Sequence, residues 1–355
     1  MALKLMKGCE AIAEAAIQAG CRYFFGYPIT PQNDIPEYMS LRLPQVGGCF
    51  LQAESELAAI NMVYGAGGAG ARVMTSSSSP GISLKQEGIS TCCAAEIPCV
   101  IVNMMRGGPG LGNIQASQGD YFQAVKGGGH GDYHLVVFAP SSIQETCNLM
   151  QKAFDTADKY RTPVMILADG LIGQMMEPVE LKMNPNPEMP EKPWAAQGYD
   201  PKGERPRAVL NSLYIETEDL DVLINRLHER YAEIEKNEKM VETYHTEGAE
   251  FILCAYGTVA RVCKAAVRIL EEQGVKVGLV RPITLWPFPT ETVHDAIAQE
   301  SVKACLTVEM SDGQMYEDIR LAVNGCKPCE FMGKAGSIIP SAEEIAERIL
   351  KMREA

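Results

Sequence analysis

The sequence predicts an α/β fold built as two doubly wound open parallel sheets. Three observations carry this expectation. Short apolar strand patterns alternate with helical ones from the start to about residue 185. Residues 98–104 (Pro-Cys-Val-Ile-Val-Asn-Met) are nearly continuously apolar, as in a strand buried on both faces of a parallel sheet. A second alternation begins near Ala249.

Residues 9–19 read as a helix of small and apolar side chains that ends at Gly20, and 23–25 as a strand. The stretch Gly26-Tyr27-Pro28-Ile29-Thr30-Pro31 follows. Each proline removes a backbone donor and holds the residue before it extended. The result is a stiff elbow that presents Ile29 and the Thr30 hydroxyl. It stands at the carboxyl end of a strand, where open α/β sheets bind ligands; an ordinary two-proline loop is the other reading. Residues 54–65 place Leu57, Ile60 and Tyr64 on one helical face. The glycines of 65–70 follow no strand, so they mark a helix end and not a dinucleotide fingerprint. A short strand at 72–75 leads into Ser76-Ser77-Ser78-Ser79-Pro80-Gly81, a helix start. Strands at 133–138 and 162–167 flank a helix over 141–159.

Residues 182–207 hold six of the 21 prolines and read as a linker or surface arm. The charged stretch 217–246, with Leu220, Val222, Leu223, Leu227 and Tyr231, reads as a helical excursion packed on a neighbour. Strands follow at 251–256, 275–280 and 304–308, with a helix at 260–273. A terminal helix over 341–353 opens on a capping box, Ser341 with Glu344. The expected organisation is a domain over 1–185, a linker and excursion over 186–247, and a second domain over 248–355.

Composition narrows the function. A hydrophobic fraction of 46% with 22% charged residues belongs to a globular chain. The formal charge of −13 argues against nucleic acid and against an anionic membrane surface. No long apolar run and no signal-peptide core occur, and twelve mostly scattered cysteines fit a reducing cytosol. A cytoplasmic location is expected. If the partner is a small acidic electron carrier, this surface would repel it, and its docking site would have to lie on another subunit.

Several groups could carry chemistry. Glu54 and Glu56 sit where a strand meets a helix, so the helix dipole favours their charged forms. Either is a plain helix-start acid or a carboxylate aimed at a polarisable heterocycle. Arg106 leaves the apolar strand beside Gly107-Gly108-Pro109-Gly110, placed to grip a carboxylate or phosphate in bidentate fashion; a surface arginine paired with an acid is the other reading. No Gly-Lys-Ser/Thr follows, which excludes a P-loop. His130 lies in a glycine loop and His134 just beyond; both read as structural. Cys326-Lys327-Pro328-Cys329 is a single C-x-x-C without a second pair, and Cys92-Cys93 reads as helix packing, so no iron–sulfur cluster is expected on this chain.

Read together, several of these segments point one way. Tyr27-Pro28-Ile29-Thr30-Pro31, residues 52–66 (QAESELAAINMVYGA), 81–90, 105–114, 119–133, 281–289 and 308–312 resemble the alpha-type subunit of 2-oxoacid:ferredoxin oxidoreductases. The similarity is nearest to the branched-chain, 2-oxoisovalerate type. It implies a thiamine-diphosphate pyrimidine-type domain followed by a transketolase C-terminal-like domain. Ser55-Glu56-Leu57-Ala58-Ala59 matches the family's cofactor-activating glutamate, which selects Glu56 over Glu54. Thr30 matches a substrate-contacting threonine, within an elbow Tyr27-Pro28-Ile29-Thr30 that lines the cofactor. Arg106 matches the arginine that holds the substrate carboxylate.

The resemblance also implies what lies elsewhere. Asp169-Gly170 lacks a preceding glycine, so Mg²⁺ and the diphosphate are expected on a beta-type subunit. Gamma- and delta-type subunits are expected to bring coenzyme A contacts, [4Fe-4S] clusters and access to ferredoxin. The chain departs from the family at Ser79, where glycine is common. A left-handed backbone there would cost serine roughly 1 kcal/mol or more. The segment 110–114 (Gly-Leu-Gly-Asn-Ile) lacks the lysine expected for a dicarboxylate, which favours a branched 2-oxoacid such as 2-oxoisovalerate over 2-oxoglutarate. A non-catalytic scaffold subunit is the rival class.

Overall fold

The computed structural model describes residues 3–181, 189–199, 201–203 and 205–354. Part of the expected linker, 182–188 with positions 200 and 204, lies outside them. The strands are β1 (Lys4–Lys7), β2 (Tyr23–Gly26), β3 (Cys49–Gln52), β4 (Val73–Ser77), β5 (Cys99–Met105), β6 (Val136–Phe138), β7 (Pro163–Asp169), β8 (Met176–Val179), β9 (Val241–Tyr244), β10 (Phe251–Cys254), β11 (Val277–Pro282), β12 (Thr284–Trp286), β13 (Ala304–Glu309) and β14 (Cys329–Gly333).

The larger sheet has the order β12-β6-β7-β5-β4-β2-β3. Its pairings are parallel except for β12, which runs antiparallel to β6. All seven residues of central β5 are buried, as its apolar sequence requires. Each fully buried Val or Ile there contributes roughly 1.5–3 kcal/mol. The helices Gly8–Gln18, Glu56–Gly68, Ser79–Ala94 and Ile143–Tyr160 connect these strands. The smaller sheet, β14-β13-β10-β11-β9, is parallel except for β9 on β11. So each of these two sheets is a parallel array with one antiparallel edge, and β1 and β8 pair antiparallel in a separate two-stranded sheet.

Both antiparallel edges lie outside the sequence expectation. The stretch expected to be helical to 246 is helix Thr217–Asn237, which then turns into β9. Val-Glu-Thr-Tyr is β-prone and finds an edge to join. The neighbour of this helix is the chain's own core: Leu223, Leu227, Tyr231 and Ile234 pack into the larger sheet's cluster. Strand β12 leaves the C-terminal half to complete the larger sheet. The position 247/248 is therefore spanned by both sheets. The strand expected from residue 133 starts at Val136, because Tyr133 instead accepts the Gly128 and Gly129 N–H groups with its hydroxyl.

Asp169 and Arg281 are among the buried polar groups that join the sheets. Asp169, at the end of β7, accepts from Leu171 N, Ile172 N, Thr258 N and Thr258 Oγ1 at 3.1, 3.3, 3.3 and 2.8 Å. Burial pushes its carboxyl up, and these donors oppose the shift. Arg281, on β11, grips both oxygens of Glu145 at 2.7 and 3.0 Å and Glu242 at 2.6 Å. The terminal helix Ala342–Glu354 has its expected capping box: Ser341 N donates to Glu344 Oε2 at 2.8 Å, and Glu344 N to Ser341 Oγ at 3.2 Å. Among the described residues no helix is long and apolar enough to cross a membrane.

Candidate active site

Residues 27–31 leave the carboxyl end of β2 as a tight elbow, with a cis Thr30–Pro31 bond. Gln32, fully buried, closes it: its backbone N donates to Ile29 O at 3.1 Å and its Nε2 to Tyr27 O at 3.3 Å. Gln32 Oε1 accepts from Ser76 Oγ on β4, which ties the elbow to the next strand. Tyr27 and Pro28 are exposed, Ile29 and Thr30 half-buried. The Thr30 hydroxyl accepts from Asn33 Nδ2 at 3.4 Å.

Arg106 follows β5 and is 8% exposed. Its Nη1 donates to the Thr30 carbonyl and its Nη2 to the Leu111 carbonyl, each at 2.9 Å. Its buried Nε has no acceptor. The guanidinium thus holds two backbone segments and keeps donors in reserve. A bridge to Ala116 and the bond from Gly107 N to Gln115 O at 3.0 Å close the glycine loop beyond it. Gly112 is required in that loop: φ is +55°, and a Cβ would sit 1.7 Å from Gly107 O.

The structure separates the two glutamates. Glu54 is exposed, whereas Glu56 is 6% exposed and begins the helix Glu56–Gly68. Ser55 caps that helix by accepting from Ala58 N at 3.2 Å. The facing helix Ser79–Ala94 approaches the Glu56 carboxylate through Gly81. A Cβ on Gly81 would lie 2.6 Å from Glu56 Oε1 and 2.1 Å from Ser77 Oγ. The buried hydroxyls of Ser77 and Ser78 have no partner.

The first turn of the same helix also reaches Arg106. Arg106 N donates to Ser79 Oγ at 3.0 Å, and Ser79 Oγ donates to the Asp120 carboxylate at 2.6 Å. Asn103 Nδ2 donates to the same Asp120 oxygen at 2.9 Å. Burial raises the Asp120 carboxyl above its ordinary range, against the pull of these two donors. Ser79 does not take a positive φ, so the strain expected from the missing glycine does not arise. Its hydroxyl instead links Arg106 N to the Asp120 carboxylate.

Lys85 is a group the sequence reading missed. It is fully buried and donates from Nζ to the Glu56 carbonyl at 3.3 Å. Burial pulls its amine down to about 8, while the Glu56 carboxylate pulls the other way. Its helical spacing of three and four from Ile82, Gly81 and Ile89 places it on the buried face, which was a usable signal. Asp120 and Asn103 were also missed, and Ser79 was read only as a departure from the family's glycine.

Other candidates fall away from this cluster. His130 is exposed and offers only its carbonyl, to Ser90 Oγ at 2.7 Å. His134 stacks flat on Trp286 with ring centroids 4.6 Å apart. Cys329 Sγ lies 3.2 Å from Cys305 on the neighbouring strand. Glu309 accepts from Ser311 Oγ, Met315 N and Tyr316 N at 2.8, 3.0 and 2.8 Å, closing the turn before helix Gln314–Val323.

Comparison with known proteins identifies the family. Residues 14–243 match the family described as pyruvate flavodoxin/ferredoxin oxidoreductase, thiamine diP-bdg, and 249–345 match pyruvate:ferredoxin oxidoreductase core domain II. The ketoisovalerate oxidoreductase subunit VorB of Methanothermobacter thermautotrophicus is 47% identical, over 98% of this chain and 97% of the relative. The 2-oxoglutarate synthase subunit KorA of Methanocaldococcus jannaschii is 36% identical over 99% and 100%. The solved 2-oxoglutarate:ferredoxin oxidoreductase of Magnetococcus marinus superposes with a TM-score of 0.88 at 25% identity, over 98% of this chain and 65% of that one. A split-gene transketolase shares the fold, with a TM-score of 0.62 at 13% identity. With both halves matched and relatives of 36–48% identity aligned along almost its full length, the chain belongs to the 2-oxoacid:ferredoxin oxidoreductase family, as one subunit of such an enzyme.

Proposed function

We propose that this chain supplies the aminopyrimidine side of a thiamine diphosphate site, and part of the substrate pocket, in a branched-chain 2-oxoacid:ferredoxin oxidoreductase. The observation that carries the reading is the buried Glu56 carboxylate, set against Gly81 at the sheet edge where the Thr30 elbow meets Arg106. The residues suit the cofactor. Gly81 keeps a Cβ out of the space beside the carboxylate, and the unpartnered Ser77 and Ser78 hydroxyls are free to meet a polar heterocycle. When bound, thiamine diphosphate supplies the carbon nucleophile for attack on a 2-oxoacid.

The chain's own residues then have distinct tasks. Glu56 shares a proton with a ring nitrogen of the pyrimidine. The elbow Tyr27-Pro28-Ile29-Thr30 lines the cofactor, with the Thr30 hydroxyl toward the substrate. Arg106 offers its Nε–H and spare Nη protons to the substrate carboxylate while its other bonds fix the elbow and the glycine loop. The pyrimidine-side unit is the larger sheet with its helices, including β12 and the packed helix Thr217–Asn237, and the transketolase C-terminal-like unit is the smaller sheet, including β9.

The substrate follows from the loop after Arg106. Residues 107–114 hold no lysine or arginine, and Leu111 and Ile114 are exposed. An apolar loop favours a branched aliphatic side chain over a second carboxylate. The 47% identity to a ketoisovalerate oxidoreductase subunit supports 2-oxoisovalerate. A beta-type subunit brings Mg²⁺ and the diphosphate site; gamma- and delta-type subunits bring coenzyme A contacts, [4Fe-4S] clusters and the route to ferredoxin. The assembly works in the cytoplasm.

Glu56→Gln in the reconstituted complex tests the catalytic reading. Loss of turnover with intact assembly is expected; full turnover would make the chain a scaffold. Steady-state comparison of 2-oxoisovalerate with 2-oxoglutarate tests the substrate, and better use of 2-oxoglutarate would refute the choice.

A further inference from the structure

A hollow of about 430 Å³ opens at the opposite edge of the larger sheet, beside the residues that lead into β5 and β7. Glu96, Arg161, Trp194, Arg207, Arg226 and Arg230 line it. At about 3.3 Å per residue, the seven residues of β5 put roughly 20 Å between Glu96 and Arg106. The hollow is separate from the candidate active site.

Four arginines face one carboxylate here, in a chain whose formal charge is −13. Glu96 satisfies two of them: it accepts from Arg226 Nη2 at 2.8 Å and Nε at 3.3 Å, and from Arg230 Nη2. Arg161 lies over the Trp194 ring at 4.6 Å, and its buried Nε has no acceptor. Burial lowers the Arg161 guanidinium from its ordinary range, and Arg230 and Arg226 add to this against the pull of Glu96. Arg207 is exposed at the rim, and Glu96 is the sole acid among the lining residues. Docking the helix Thr217–Asn237 needs only the Glu96 pairs. It leaves Arg161 and Arg207 unexplained.

We infer that this hollow binds a small phosphate-bearing anion, held by the Arg161, Arg207 and Arg226 guanidiniums around the Trp194 wall. Guanidiniums match phosphate oxygens in bidentate geometry. The volume suits a small metabolite, and Pro193 and Val209 add an apolar wall for its organic part.

The test uses the native complex with thiamine diphosphate in excess, so that the cofactor site is filled. Inorganic phosphate and fructose 1,6-bisphosphate serve as probes, one for the free anion and one for a phosphate ester. Arginines are modified with phenylglyoxal and read by peptide mass spectrometry, with exposed Arg268 as the internal reference. Either probe is expected to slow modification of Arg207 and Arg226 several-fold and to leave Arg268 unchanged. Unchanged rates with both probes, or equal slowing of all three residues, would overturn the site. Calorimetry with the protecting probe gives a second measure: Arg207→Gln with Arg226→Gln should weaken binding at least tenfold, and unaltered binding would refute the assignment.

Discussion

The Arg106 guanidinium donates to the Thr30 carbonyl at 2.9 Å, across 76 positions of sequence. The arginine expected to hold a substrate thereby also holds the elbow that presents the Thr30 hydroxyl. Binding and positioning share one side chain, so a change at Arg106 disturbs both.

Arg106→Lys keeps the charge but cannot span the Thr30 and Leu111 carbonyls with one planar fork. Hydrogen bonds of charged groups are worth about 1.5–3 kcal/mol, so kcat/KM for the 2-oxoacid should fall roughly tenfold to a hundredfold. Steady-state kinetics on the assembled complex checks this. Unchanged kinetics would mean that the guanidinium geometry is irrelevant.

Gly81→Ala sets a helix-favouring residue where helix propensity is not the limit. The added Cβ meets Ser77 Oγ at 2.1 Å and Glu56 Oε1 at 2.6 Å. Overpacking of this kind costs about 1–3 kcal/mol. Calorimetric Tm should drop and thiamine diphosphate affinity should weaken together. A raised Tm with normal affinity would contradict the close approach.

Lys85 makes stability depend on pH. Its amine is lowered to about 8 in the fold from an ordinary 10.5, so between these values the unfolded chain binds more protons. The cost of burying the cation is full below about pH 8 and fades as pH rises toward 10.5. Lys85→Met removes that cost, of order 3 kcal/mol. The variant should therefore melt above the parent at pH 7, with the gap closing by pH 10. A gap that is constant with pH would show that Lys85 is not buried as a strained cation.

Asp169→Asn keeps the size of the inter-sheet clasp, but with its carbonyl oxygen kept for Leu171 N, Ile172 N and Thr258 Oγ1, its NH₂ group faces the Thr258 N–H donor. Leaving buried polar groups mismatched costs about 1–3 kcal/mol each. Tm should fall by several degrees, and limited proteolysis near residues 255–258 should speed up. Thr258→Val, which deletes one donor, should show a smaller loss in the same direction.

Much of the parallel framework was legible because its signal is local. The run through β5 is apolar enough to be read without partners, and the Ser341–Glu344 cap is a short-range pattern. Strands β9 and β12 were not legible. Each is three or four residues long and gains its hydrogen bonds from a strand it could not name in advance. The site divides similarly. Burial of Glu56 and exposure of Glu54 are tertiary outcomes, and only the family resemblance separated them beforehand. Lys85 sat on a readable helical face, but a cation there contradicts the usual rule for charged residues and was passed over.

The exchange of edge strands has a consequence for synthesis. While the ribosome has released only the first 240 residues, β6 has no β12 beside it and presents unpaired backbone groups. The larger sheet is completed only after Trp286 emerges, and the smaller sheet then closes over an edge, β9, made before its own core. A gene split near residue 248 would give two polypeptides that each carry an edge strand of the other's sheet, so neither half would be complete until they met.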